Sequence, residues 1–174
     1  MKEIADHYLK KIVTSEKYLS KEPVRDVHLL YRPFYNSLMS AIKVFNELYD
    51  YVVVIVETYR SDTLQRIYFN RGASKIKTRG MHGFAIAVDC AFRINGKFSY
   101  NGNYKHLRQC MKDAGLHLLT SWDIGHVQFI AVSDQQLLRN EVDKAIKSSQ
   151  KKYGLVVDGL VGPKTIKKSK EIYL

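Results

Sequence analysis

Residues 82 to 92, His-Gly-Phe-Ala-Ile-Ala-Val-Asp-Cys-Ala-Phe, hold the pattern that decides how this chain folds. Phe84, Ile86 and Val88 alternate with Ala85, Ala87 and Asp89. That period of two predicts a strand from His82 to Phe92 with one bulky face and one small face ending in a carboxylate. The small face leaves room for something beside Asp89. His82 and Asp89 are seven positions apart, so one continuous strand would send them to opposite faces. For both to converge, His82 must lie in a turn before the strand, and Gly80 and Gly83 make such a turn cheap.

Upstream of this segment, Tyr51 to Val56 (YVVVIV) is β-branched, short and continuous, which predicts a strand buried on both faces. Ser61 or Asp62 can then cap a helix through Leu64, Ile67 and Tyr68, followed by a basic loop, RGASKIKTRG. Arg32 to Leu48 fits a helix with Pro33 in its first turn and a Leu38, Ile42, Phe45, Leu48 stripe. Residues 1 to 20 read as another helix, with Ala5, Tyr8, Leu9, Ile12 and Val13 on one face and Pro23 beyond its end.

Downstream, Asn95-Gly96 is a hairpin signal, and a helix from Tyr104 to Ala114 is terminated by Gly115. A last strand, His126 to Val132, places His126, Gln128 and Ile130 on one face. Composition shifts after Val132, where Ser133-Asp134 is positioned to cap a helix carrying Leu137, Leu138, Val142, Ala145 and Ile146. The expected organisation is a main domain over 1–133 and a helical appendage over 134–174, the latter near the lower limit of independent folding.

At 174 residues, 45% hydrophobic and 26% charged, the chain has the composition of one folded domain with a small addition, not of a disordered or membrane-spanning protein. The longest apolar run, Tyr51 to Val56, is far below the roughly 18 to 20 residues of a membrane helix. The first thirty residues carry no apolar core of a secretory signal, so synthesis in the cytoplasm is expected. Cys90 and Cys110 have no framework spacing and are expected to be free thiols. The net charge of +11 predicts attraction to a polyanion. Residues 134–174 carry 9 basic and 5 acidic residues against 19 and 12 in the rest, so no single arm concentrates it.

A metal-dependent hydrolase needs three protein ligands and a nearby base for its water. His82, Asp89 and His126 can supply nitrogen and oxygen ligands. Asp123, three residues before His126 across a turn relaxed by Gly125, is the candidate base. The spacing alone is weak, because Asp-x-x-His is common by chance. His7, His28, His106 and His117 lack comparable carboxylate partners and read as structural. Cys90 faces away from Asp89 on a continuing strand and is not expected to bind metal.

Taken together, Glu57-Thr-Tyr-Arg60-Ser-Asp-Thr-Leu-Gln65, then His82-Gly-Phe-Ala85-Ile-Ala87-Val-Asp89, then Trp122-Asp123-Ile-Gly-His126-Val-Gln128-Phe, resemble the zinc-dependent peptidoglycan peptidases. That group includes D-alanyl-D-alanine carboxypeptidases and phage L-alanyl-D-glutamate endopeptidases. The resemblance spans roughly residues 29 to 132, with the blocks in the family's order. Gly80 stands where the signature has Ser and Ala85 where it has Gly, and Asp123 in place of Glu looks like the phage branch.

The resemblance implies an α+β fold with a small, mainly antiparallel sheet flanked by helices. It further implies Zn²⁺ on His82, Asp89 and His126, with Asp123 as general base. Arg60 becomes the natural cation for a substrate carboxylate or developing oxyanion. Gln65 and Gln128 become candidates for hydrogen-bonding the peptide stem or orienting a ligand. Trp122 is a possible stacking wall, though a lone Trp beside a strand more often packs in the core. Lys75, Lys77 and Arg79 line the loop before His82, where they either meet an anionic polymer or stay solvated.

Residues 145–165, AIKSSQKKYGLVVDGLVGPKT, resemble half of the helical peptidoglycan-binding module of wall hydrolases. Asp158-Gly159 fits a turn, and Pro163 is preorganised for a helix from Lys164. The function expected is a phage-type endolysin that cuts the peptidoglycan stem peptide between L-Ala and D-Glu. Bacterial peptidoglycan is the expected partner, without nucleic acid or membrane insertion, and the protein is expected to be monomeric. It would be held in the host cytoplasm until lysis releases it. A D-Ala-D-Ala carboxypeptidase, a non-catalytic wall-binding protein and a basic nucleic-acid-binding module remain alternatives; the last has no motif beyond charge.

Overall fold

A computed structural model of the chain describes residues 1–119 and 123–174. Helix α1 (Lys2–His7) runs into a π-helical turn at Tyr8–Ile12 and ends at Val13, short of the 1–20 helix expected from periodicity. Side chains supply the reason. Thr14 Oγ1 donates back to the Lys10 carbonyl at 2.7 Å, the Tyr8 and Tyr18 hydroxyls meet at 3.0 Å, and the Tyr59 hydroxyl donates to the Tyr18 carbonyl. The Thr14 hydroxyl competes locally with the helical ladder, and the two tyrosine contacts hold the chain where it turns back.

Helix α2 (Arg32–Asn46) has Pro33 in its first turn and buries Leu38, Ile42 and Phe45, while Leu48 lies past its end and is exposed. Strand β1 (Val52–Glu57) leads to α3 (Asp62–Asn70), where Ser61 Oγ accepts from the Leu64 N–H at 3.1 Å as a cap should. Strands β2 (Ala87–Ile94) and β3 (Lys97–Ser99) are joined by Asn95 and Gly96, both at positive φ, the conformation a tight hairpin demands. Helix α4 (Tyr104–Asp113) is followed by β4 (His117–Leu118), which the sequence did not signal, and by β5 (His126–Gln128). Helices α5 (Gln135–Lys152) and α6 (Pro163–Tyr173) complete the chain, with Pro163 at the first position of α6. Asp134 flanks α5 without a side-chain cap bond, contrary to the cap expected there.

The five strands form one sheet in the order β1-β2-β5-β4, with β3 also on β2, and every pairing is antiparallel. The fold is therefore α+β: a small antiparallel sheet flanked by helices. Three strand expectations need correction. β1 lies at the sheet's end and is only half-buried, because β-branched residues fit an edge as well as a centre. β2 begins at Ala87, not His82, because Met81–Phe84 form a 3₁₀ turn and Ala85 takes a left-handed φ of 53° that breaks the extended run. β5 stops at Gln128, well before Val132.

Two apolar cores lie on either side of this frame. Val88, Cys90 and Phe92 of β2 pack with Phe34, Leu38 and Phe45 of α2 and Leu107 and Met111 of α4. A second cluster joins Ile4, Leu9 and Val13 to Phe84, Ile86 and Ala87 and to Leu138, Val142 and Ile146 of α5. The first helical segment and α5 thus share one apolar seam beside the 3₁₀ turn. Leu138 is fully buried there, so Leu138→Ala is expected to cost about 3 kcal/mol. Thermal denaturation should register this as a fall of roughly 6–12 °C in midpoint; an unchanged midpoint would mean that α5 is not packed on α1.

Candidate metal centre

Strand register builds most of the site. In the β2–β5 pairing Asp89 sits directly opposite His126, and Ala87 opposite Gln128. Directly opposed residues share a face, so Asp89 and His126 emerge side by side, with Ala87 small enough to leave space beneath Gln128. On the other side of β2, an irregularity between Ile55 and Glu57 brings Glu57, not Val56, opposite Asp89. A bulge of this kind re-aims a side chain. The result is a row, Glu57, Asp89 and His126, across three strands.

His82 arrives from the 3₁₀ turn Met81–Phe84, as convergence with Asp89 requires. His82 Nε2 lies 3.2 Å from His126 Nδ1 and 3.3 Å from Asp89 Oδ1, and His126 Nδ1 is 3.2 Å from the same oxygen. Both rings are buried. This His82, Asp89, His126 group can hold a metal ion, each residue offering one ligand atom. Burial opposes ionisation of Asp89, but the two facing histidines hold its carboxyl well below the usual range.

The surroundings fix these groups. Gln128 donates from Nε2 to the Ile130 carbonyl at 2.6 Å, which turns its Oε1 toward His126 Nε2 at 3.3 Å. That acceptor favours a proton on His126 Nε2 and leaves Nδ1 free to act as a ligand. Gly125 is required by close approach: a Cβ there would fall 2.7 Å from the Cys90 carbonyl oxygen. Cys90 and Cys110 are both buried free thiols, and Cys90 packs in the core behind β2.

Arg60 is committed more fully than the sequence suggested. Its guanidinium pairs with Glu57, reaches Asp89 Oδ2 at 3.2 Å and Gln65 Oε1 at 3.3 Å, and lies over the Tyr68 ring. Burial works against its charge, but Glu57 and then Asp89 raise its pKa overall. Arg60 thus restrains one oxygen of Asp89 and leaves Oδ1 facing the histidines. Gln65 spends its amide on Ser74 Oγ and the Ile76 carbonyl, tying down the basic loop. Glu57 Oε1 and His82 Nδ1 are buried without hydrogen-bond partners among the described residues.

A cleft of about 720 Å³ opens over this floor, and its lining includes all seven site residues expected from the sequence: Arg60, Gln65, His82, Asp89, Asp123, His126 and Gln128. Asp123 is half-buried, and its carboxylate accepts no hydrogen bond among the described residues. Burial pushes its pKa up, a shift that His126 opposes and Asp89 reinforces. Trp122 lies outside the described residues. Arg79 turns away from the cleft to pair with Asp143 of α5 at 2.7 Å. His7 bonds the Leu29 carbonyl and His106 the Tyr49 hydroxyl, both remote from the cluster. Two participants had no assigned role in the sequence: Glu57, revealed only by the bulge, and Gln135 of α5, which donates to Gln128 Oε1 at 3.2 Å. No protein-family model matches the chain, and comparison with curated proteins gives no match.

Proposed function

We propose that the protein is a zinc-dependent endopeptidase of the endolysin type, cutting the peptidoglycan stem peptide between L-Ala and D-Glu. The observation that carries this reading is the triangle of His82 Nε2, Asp89 Oδ1 and His126 Nδ1, with sides of 3.2 to 3.3 Å, at the floor of an open cleft beside Asp123. Ligands about 2.0–2.1 Å from a tetrahedral ion lie about 3.3 Å apart, so the donor set and its spacing fit zinc without rearrangement. Two histidines and a carboxylate leave a fourth position for chemistry. The motif resemblance supplies the substrate class, and the net charge of +11 suits an anionic wall.

When bound, zinc supplies Lewis acidity, polarising a carbonyl and acidifying water toward neutral pH. Asp123, without competing hydrogen bonds among the described residues, accepts the water proton and passes it to the leaving amine. Arg60, clamped by Glu57, holds Asp89 in its ligating orientation. Gln128 holds His126 in its ligating tautomer. Residues 145–165 are read as wall-retaining, in line with their module-like sequence. No helix among the described residues is long and apolar enough to cross a membrane.

Digestion of purified peptidoglycan, with mass spectrometry of the fragments, tests this reading. New amino-terminal D-Glu, abolished by a chelator and restored by zinc, is the expected result. Free D-Ala would replace the endopeptidase by a carboxypeptidase. Chelator-resistant cleavage would overturn the metal mechanism, and absence of cleavage by zinc-loaded protein would overturn the enzyme.

A further inference from the structure

Helix α5 begins beyond the segment that carries the ligand motifs, yet it bonds Gln128, the partner of His126, and Arg79, just ahead of the His82 turn. Gln135, Arg139 and Asp143 recur every four residues, so they form one polar stripe along the helix, next to the apolar stripe of Leu138, Val142 and Ile146. Each member of the stripe grips the metal centre's supporting backbone or side chains.

Gln135 is buried and donates to Gln128 Oε1 at 3.2 Å, the same oxygen that faces His126 Nε2. Arg139 Nε donates to the Arg79 carbonyl at 3.3 Å, and its Nη2 reaches Gln135 Oε1 at 3.3 Å. Asp143 pairs with the Arg79 guanidinium, whose other nitrogen donates to the Arg139 carbonyl. Arg79 has a left-handed φ of 55°, a conformation that disfavours an Arg side chain, and stands three residues before His82. Its N–H is held by Asp62 Oδ1 at 2.8 Å. Arg79 is therefore fixed at its amide, its carbonyl and its side chain, and two of those three anchors come from α5.

Resting on the reading of His82, Asp89 and His126 as a metal centre, we propose that α5 is part of that centre: Gln135 is a positioning residue for His126 through Gln128, and Arg139 with Asp143 positions the turn that presents His82. Partners that hold metal-binding histidines typically contribute a factor of 10–100 in metal affinity. The sequence hid this because none of the three residues lies near a ligand along the chain.

The test uses the full metal-free chain and titrates Co²⁺ by visible absorption and Zn²⁺ by competition with a chromogenic chelator. Gln135→Met and Arg139→Met remove the polar contacts at similar size, and Gln136→Met, on the exposed side of the same helix, is the control. Gln135→Glu keeps shape and an acceptor for Arg139 but removes the donor to Gln128, and serves if the methionine variant fails to fold by circular dichroism. The expected result is roughly 10–100-fold weaker metal binding for Gln135→Met and Arg139→Met, with a changed Co²⁺ band for Gln135→Met and neither effect in the control. Folded variants that bind within about twofold of the parent, with the parent's spectrum, would overturn the role of α5. A parent chain that takes up neither ion would instead overturn the metal centre itself.

Discussion

His126→Ala is expected to give a folded protein that takes up no stoichiometric zinc and does not cleave peptidoglycan. His126 lies opposite Asp89 in the β2–β5 ladder, and its Nδ1 is one corner of the three-atom triangle. Alanine keeps the strand pairing, which belongs to the backbone, but leaves two ligands where three are needed. The fold itself should lose only about 1–3 kcal/mol, the usual cost of unpairing buried polar groups, here Gln128 Oε1 and the Asp89 carboxylate. Both retain other partners, Gln135 and Arg60 respectively. Thermal denaturation separates folding from loading. A metal that binds only the native state at about 100 times its dissociation constant stabilises by roughly 2.7 kcal/mol, or about 5–11 °C for a chain of this size. The parent chain should show that shift with zinc and His126→Ala should show none. An equal shift in both proteins would remove His126 from the ligand set.

Asp123→Asn is expected to lower turnover by about 10²–10⁴ while zinc content stays at the parent level. The amide has the size of the carboxylate but cannot accept a proton, so the loss isolates the base from the ligands. The pH profile carries the same assignment. A general base acts only when ionised, so activity should fall as pH drops through the pKa of Asp123. Burial pushes that pKa above the ordinary aspartate value of about 3.9 in the metal-free chain. A bound cation pulls in the opposite direction, so the limb measured on the loaded enzyme should lie below the pKa of the same carboxyl in the metal-free chain. In Asp123→Asn the residual activity should lack this limb. Turnover within about twofold of the parent would exclude Asp123 as the base.

The resemblance was carried by three short blocks, and the tertiary structure brings them to one cleft. Its two departures have distinct physical settings. Ala85, where the signature has glycine, adopts a left-handed φ of 53°, the conformation for which glycine is the usual choice. Gly80, where the signature has serine, leaves a position whose Cβ would meet Gln65 Oε1 at 3.2 Å, so the loop packs closely at this point.

The sequence by itself determined the local elements with strong punctuation: α2 after Pro33, α3 behind its Ser61 cap, the Asn95-Gly96 hairpin and α6 behind Pro163. It also determined that His82 had to leave the strand to meet Asp89, because strand periodicity is a backbone property. It misjudged the length of the first helix and the burial of β1, since the Tyr59 bond that holds Tyr18 in the returning chain and a place at the sheet's end both depend on distant partners. Only the tertiary structure decided that a bulge would turn Glu57 toward Arg60, that Arg60 would be held against Asp89, and that α5 would bond Gln128 beside His126 and Arg79 ahead of His82. Register and long-range polar contacts are set by how sheets and helices close on one another, and residues as far apart as Arg79 and Arg139 carry no mutual signal until the chain has folded.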